Sequence, residues 1–234
     1  MRARACLAGA VTVFGLLLSA CQPATSSTSP PPTRPAVGTQ RPTPTPVSTP
    51  TPAPALALDK VGAAASPSGF MAFAVVSNPS AEFALDVKVA ITAVDASGQS
   101  LARRDATIPR IAAGTRQAVA VAFPVGRTLP ASFSGSVVNV RWSADGAPDV
   151  AQVAGASFVQ DARTPSVRVH LVNQGHGADR VAVVAICWDA AGNIRGGGSL
   201  TVMIGPGAQG HDVTIHVALS TVPTSCDAYG ATLG

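Results

Sequence analysis

From Phe83 to Ala93 the chain alternates with period two. Phe83, Leu85, Val87, Val89, Ile91 and Ala93 fall on one face, and Ala84, Asp86, Lys88, Ala90 and Thr92 on the other. That is the pattern of a long strand with one face toward a core. Asp95-Ala-Ser-Gly98 then reads as a turn, with glycine supplying positive φ and the carboxylate bonding its own backbone. Leu101–Ile108 is the next strand, Ile111-Ala-Ala-Gly114 a turn, and Gln117–Val125 and Ser136–Trp142 the last two strands of the series. Val181, Val183, Ala185 and Cys187 repeat the apolar face, Asp189-Ala-Ala-Gly192 repeats the turn, and Ile204-Gly-Pro-Gly207 repeats Ile111–Gly114. Val167–Asn173 ends in V-N-Q-G, which matches V-S-N-P at 76–79 one residue out of step, and Asp212–Val217 is the penultimate strand. Asp95 to Asp189 is an offset of 94 residues, about the size of one small β-sandwich. The fold class expected is all-β: two tandem immunoglobulin-like antiparallel sandwiches, over 56–145 and 146–234, with no stretch after residue 56 that offers a helical period with caps.

In Phe70–Val76 both phases are apolar. Phe70, Ala72, Ala74 and Val76 lie on one, and Met71, Phe73 and Val75 on the other. A strand with one wet face alternates with polar residues. Met71, Phe73 and Val75 therefore form a candidate contact surface, for the neighbouring sandwich or for an external partner, the covalent neighbour being favoured.

The first 55 residues follow other rules. Arg2 and Arg4 precede an apolar run, Ala5–Leu18, too short to span a bilayer as a stable helix. It ends in Leu18-Ser19-Ala20-Cys21, which resembles the lipobox of bacterial lipoprotein signals. The resemblance implies cleavage of residues 1–20, acylation of Cys21 (diacylglycerol, commonly with a palmitate-type third chain), and anchoring to the extracytoplasmic face of the cell membrane. The competing reading is an ordinary secretory signal with an incidental cysteine. Residues 21–55 form a tether: Gln22–Ala55 holds 11 of the 20 prolines, mixed with Thr and Ser. Proline lacks the backbone donor and fixes φ near the polyproline value, and no apolar pattern exists to offset the entropy of ordering. At about 3.1 Å per residue such a segment reaches on the order of 100 Å. A glycosylated stalk, or a docking site for proline-binding domains, is the other reading of such composition.

Charge removes one class of function. All 12 acidic residues lie after residue 56, where 12 of the 16 basic residues also lie, so the sandwiches carry no net charge and no basic stripe for phosphates. A nucleic-acid partner is not expected.

Catalytic signals are sparse. There is no G-x-S-x-G, Glu82 is the only glutamate, and all four histidines (His170, His176, His211 and His216) lie in the second repeat. His170 and His216 fall on the outward phase of their strands and could be neighbours if those strands pair. No metal-ligand spacing accompanies them, and solvent-facing histidines are the preferred reading. Arg195-Gly-Gly-Gly-Ser199 lacks the lysine and helix of a phosphate loop and reads as a hairpin turn. No enzyme, cofactor or metal is expected.

A long strand ending in residue-Asp-x-x-Gly, an asparagine before a polar loop and a following Pro/Gly turn together resemble the FxLYD-type and related immunoglobulin-like domains of bacterial surface lipoproteins. The motif positions here are Val94-Asp95 and Trp188-Asp189. The resemblance implies β-sandwiches with no catalytic residues. It leaves two function classes: a non-catalytic module that binds or scaffolds a protein or glycan outside the cell, and a structural spacer of the envelope without a discrete ligand. An extracellular enzyme is a distant third.

Two cysteines remain after processing, Cys187 and Cys226. With Leu129-Pro130 set on Val222-Pro223, Cys226 maps to Phe133, and Cys187 maps to Ala93. A small–large pair filling one core gap in the first repeat would be replaced by a disulfide in the second, as an oxidising compartment allows. The alternative is two free buried thiols.

Overall fold

The computed structural model describes residues 55–124, 126, 129–146, 151–161 and 164–233. The proposed signal 1–20, Cys21 and all of the tether but Ala55 lie outside them. Among the described residues all regular structure is strand: β1 Ala57–Ser66, β2 Gly69–Ser77, β3 Phe83–Val94, β4 Ser100–Ile111, β5 Arg116–Pro124, β6 Ser132–Ser143, β7 Ala151–Val159, β8 Ser166–Asn173, β9 Asp179–Trp188, β10 Ile194–Ile204, β11 Gly207–His216, β12 Ala218–Leu219 and β13 Ser225–Leu233. The protein is all-β, and every ladder is antiparallel.

Four sheets result, in the orders β1-β2-β5, β4-β3-β6, β11-β8-β7 and β12-β10-β9-β13. The third repeats the first and the fourth repeats the second, with β7, β8, β9, β10, β11 and β13 standing for β1 to β6 and the two-residue β12 added at the β10 edge. One core lies between the first two sheets, built on Ala72, Ala74 and Val76 of β2 and Val87, Val89, Ile91 and Ala93 of β3. The other lies between the last two, built on Val167, Val169 and Leu171 of β8 and Val181, Val183, Ala185 and Cys187 of β9. Each is the inner layer of a sandwich whose alternate residues face outward.

The long strand departs from its expected alternation at one point. Asp86 takes φ 51°, and the pairing of β3 with β6 slips around it, while the register with β4 runs on unbroken there. This irregularity, a local bulge against β6, reverses the phase of burial for the residues before it. Ala84, not Phe83 or Leu85, therefore shares the core face with Val87. The displaced carboxylate of Asp86 accepts from Nη2 and Nε of Arg141 on β6, at 2.8 and 3.2 Å.

Arg195-Gly-Gly-Gly-Ser199 is not a hairpin turn. It lies inside β10, and the turn is Asp189–Asn193. The glycines serve close approach of backbones. A Cβ on Gly196 would meet the carbonyl oxygen of Ala218, one on Gly197 that of Ala185, and one on Gly198 that of His216. A residue without a Cβ reads the same from sequence whether it supplies positive φ or free space.

Both repeats lock their second strand with a buried asparagine. Asn78 Nδ2 donates to the carbonyls of Glu82 (2.7 Å) and Ile111 (3.1 Å), and its Oδ1 accepts from Ser80 N–H. Asn173 Nδ2 donates to Gly177 (2.9 Å) and Ile204 (3.3 Å), and its Oδ1 accepts from Gly175 N–H. The structural match of the repeats here is Asn78 to Asn173, which removes the one-residue misfit of the sequence alignment.

Candidate functional site

The two sandwiches belong to one compact unit, and the surface that joins them builds the candidate site. Met71, Phe73 and Val75 project from the outer face of β2, together with Ala118 and Ala120 of β5. They pack on Val184, Ile186 and Trp188 of β9, Ile194 of β10 and Tyr229 of β13. Phe73 and Ile186 are fully buried. The Phe73 ring lies over Gly197, whose missing side chain leaves room for it. Both β2 and β9 are thus covered on both faces, one face by their own sandwich and one by the other. The receiving face was readable in the sequence as Val184-x-Ile186-x-Trp188, the second apolar phase of the strand already identified by its first.

The seam opens at one end into a cleft of about 410 Å³. Its first wall is Asp59 and Arg116, at the edges of the β1-β2-β5 sheet. The β1–β2 register slips between Leu58 and Lys60, which sets Asp59 out of the ladder. Its Oδ1 accepts from Ser77 Oγ at 2.8 Å, and its Oδ2 pairs with Arg116 Nε at 3.1 Å. The second wall comes from the other sandwich: Trp188 at the end of β9, and Asp227 and Tyr229 on β13. Trp188 Nε1 donates to Asp227 Oδ2 at 2.9 Å, which fixes the indole. Tyr229 is half-buried. Burial first, and the Asp227 carboxylate second, push its phenol up to about 12. The hydroxyl is therefore neutral at any ordinary pH and able to donate as well as accept.

The Asp189 turn closes the cleft from above. Asp189 Oδ1 accepts from the N–H groups of Ala191 (2.9 Å) and Asn193 (2.8 Å), and Oδ2 takes Arg195 Nη2 at 2.7 Å. The Asn193 backbone bond, then its side chain and Arg195, hold this carboxyl at about 2. Asp95 makes the same turn in the first repeat, its Oδ1 accepting from the N–H groups of Ser97 and Gln99. These two aspartates are the turn residues the sequence suggested. Beyond Tyr229 a second hollow of about 340 Å³ shares Arg116 and Tyr229 with the cleft and adds Gln152 and Thr115. Across it, Gln117 Nε2 of the first sandwich donates to the Gly230 carbonyl of the second at 2.8 Å.

Cys187 and Cys226 are joined as a disulfide. They are cross-strand partners of β9 and β13, and Ala93 and Phe133 are the matching partners of β3 and β6. Phe133 packs on the rings of Phe70 and Phe123, at centroid distances of 5.9 and 5.4 Å. The histidines face solvent as expected, His176, His211 and His216 exposed and His170 half-exposed, but His170 and His216 are not neighbours. His170 stands opposite Asp212 in the β8–β11 ladder and His216 opposite Ser166, four residues along, so the two imidazoles are not cross-strand neighbours. His170 Nδ1 instead meets Asp212 Oδ1 at 2.8 Å. Among the described residues no three His, Cys, Asp or Glu side chains converge as metal ligands would.

No sequence signal pointed to the cleft, because Asp59, Arg116, Trp188, Asp227 and Tyr229 come from four strands of two repeats. Compared with known proteins, the chain matches no protein-family model and no curated protein.

Proposed function

We propose that this chain is a non-catalytic cell-surface lipoprotein, in which two immunoglobulin-like sandwiches of the FxLYD kind are held outside the cell to bind a partner. The observation that carries the reading is the seam. Ten apolar side chains fasten the sandwiches together, and the fastened pair leaves a cleft whose two walls come from different repeats. A spacer needs reach, and independent beads on a string supply it. A joint cleft is of use only if something enters it, since ligand sites favour such interfaces between domains. The strand orders support the immunoglobulin-like reading: the first, second and fifth strands face the fourth, third and sixth in both repeats. Leu18-Ser19-Ala20-Cys21 supports the lipid anchor, and the proline-rich residues 21–55 support a tether. On this reading Cys21 carries the acyl chains and nothing in the sandwiches performs chemistry.

Two measurements test it. Metabolic labelling with a palmitate analogue marks the wild type and not Cys21→Ser; equal labelling of both removes the anchor. Crosslinking on intact cells followed by capture returns a specific partner; capture of nothing above background returns the chain to the class of envelope spacers.

A further inference from the structure

We propose that the cleft at the seam binds an uncharged oligosaccharide, with one sugar against Trp188 and Tyr229 and its hydroxyls on Asp59, Arg116 and Asp227. The inference rests on the reading of the chain as a binding module and specifies its ligand.

Four observations carry it. The first is the lining. A sugar presents C–H groups on its ring faces and hydroxyls on its rim, and the cleft offers aromatic surface beside polar groups. The second is the pairing of donors with acceptors. A hydroxyl both donates and accepts. Asp59 Oδ1, held by Ser77 Oγ at 2.8 Å, and the exposed Arg116 guanidinium put an acceptor and a donor on one wall, with the buried Oδ2 3.1 Å from Arg116 Nε fixing the pair. Asp227 Oδ2, already holding the indole N–H, and the neutral Tyr229 hydroxyl repeat the arrangement on the opposite wall. The third is charge. Asp59 is matched by Arg116 and Asp189 by Arg195, leaving Lys60 and Asp227 of opposite sign among the lining groups. Such a site has no field with which to select an ionic ligand, but many fixed dipoles. The fourth is shape. The hollow beyond Tyr229 continues the cleft past Arg116 toward Gln152, so more than one sugar unit fits along the seam. A peptide would seek an unpaired strand edge, and at this point the β13 edge is engaged through Gly230 by Gln117.

The test uses the full chain in detergent micelles on an array of defined oligosaccharides of neutral hexoses, N-acetylhexosamines and uronic acids, followed by calorimetric titration of the strongest binder. The expected ligand is a neutral tri- or tetrasaccharide. In a Trp142→Phe background Trp188 is the single tryptophan, and its fluorescence should follow the same isotherm. Arg116→Gln, at an exposed side chain, and Trp188→Ala should each weaken binding about tenfold or more. Ile91→Ala, which lies in the first core and away from the cleft, should leave affinity unchanged. Should Trp188→Ala fail to fold, Arg116→Gln and Tyr229→Phe decide the matter. No binding to any neutral sugar, preference for the uronic acids, or affinity unmoved by Arg116→Gln would each overturn the inference. A parallel screen with displayed random peptides separates it from its premise. Peptide binding lost in Arg116→Gln refutes the saccharide and keeps the binding module, whereas failure of both screens and of cell-surface capture refutes both.

Discussion

Phe73 is the residue on which the joining of the two sandwiches depends most. It is fully buried, yet belongs to neither sandwich core; its neighbours are Val184, Ile186 and Ile194 across the seam. Replacing it with alanine removes the largest fully buried side chain of the interface and leaves a cavity beside Gly197, whose own lack of a side chain cannot fill it. Phenylalanine-to-alanine changes at buried sites cost about 3–5 kcal/mol. Burial of about 150–250 Å² at about 25 cal/mol per Å² gives a comparable figure. That loss falls on the contact between the sandwiches and not on either core. The expected result for Phe73→Ala is therefore a larger radius of gyration in small-angle scattering with each sandwich still folded, and a calorimetric transition split into two. Ile91→Ala is the control. It should cost a similar 2–5 kcal/mol by lowering the first sandwich alone, with scattering unchanged below its transition. A Phe73→Ala protein with native scattering and one intact transition at lower temperature would refute the reasoning, because Phe73 would then act within the β1-β2-β5 sheet.

Loss of the Cys187–Cys226 bridge in Cys187→Ala/Cys226→Ala should cost about 4 kcal/mol in the chain-entropy model for a separation of 39 residues; guanidinium titration checks it, and Cys187→Ala/Cys226→Phe, which copies the Ala93–Phe133 pair, should recover part of the loss. Asn78→Asp should destabilise more than Asn78→Ala, which costs about 1–3 kcal/mol, because a carboxylate sets an acceptor against the Glu82 and Ile111 carbonyls; thermal melts of the two variants give the order. Tyr229 is the single tyrosine, so ultraviolet difference absorbance should titrate it near 12 instead of 10. Its raised phenol favours the fold below pH 10, and that contribution should fade as pH climbs toward 12. Asp189, held at about 2, works in the other direction: its contribution is complete above pH 3.8 and disappears as pH falls toward 2, which carboxyl NMR of wild type and Asn193→Gly can follow.

Much of the architecture was legible in the chain. Period-two alternation identifies strands because only an extended backbone sends successive side chains to opposite faces. The Asp-x-x-Gly turns are equally local, since carboxylate, amides and positive-φ glycine lie within five residues. Repetition carried the reading further: two copies at offsets of 94 and then 93 allowed Cys187 and Cys226 to be paired through Ala93 and Phe133 before any distance was known. Periodicity says which face is apolar, however, and not what that face meets. Met71, Phe73 and Val75 could be singled out, but their seats on Ile186 and Gly197 follow only when the two sandwiches are set together. The bulge at Asp86 shifts a phase that alternation assumes constant, and the glycines of β10 look like a turn because absence of a side chain is silent about its purpose. The cleft was the least legible of all. Asp59 and Arg116 lie in one repeat, Trp188, Asp227 and Tyr229 in the other, and a site shared between two folded units exists only once their outer faces have packed.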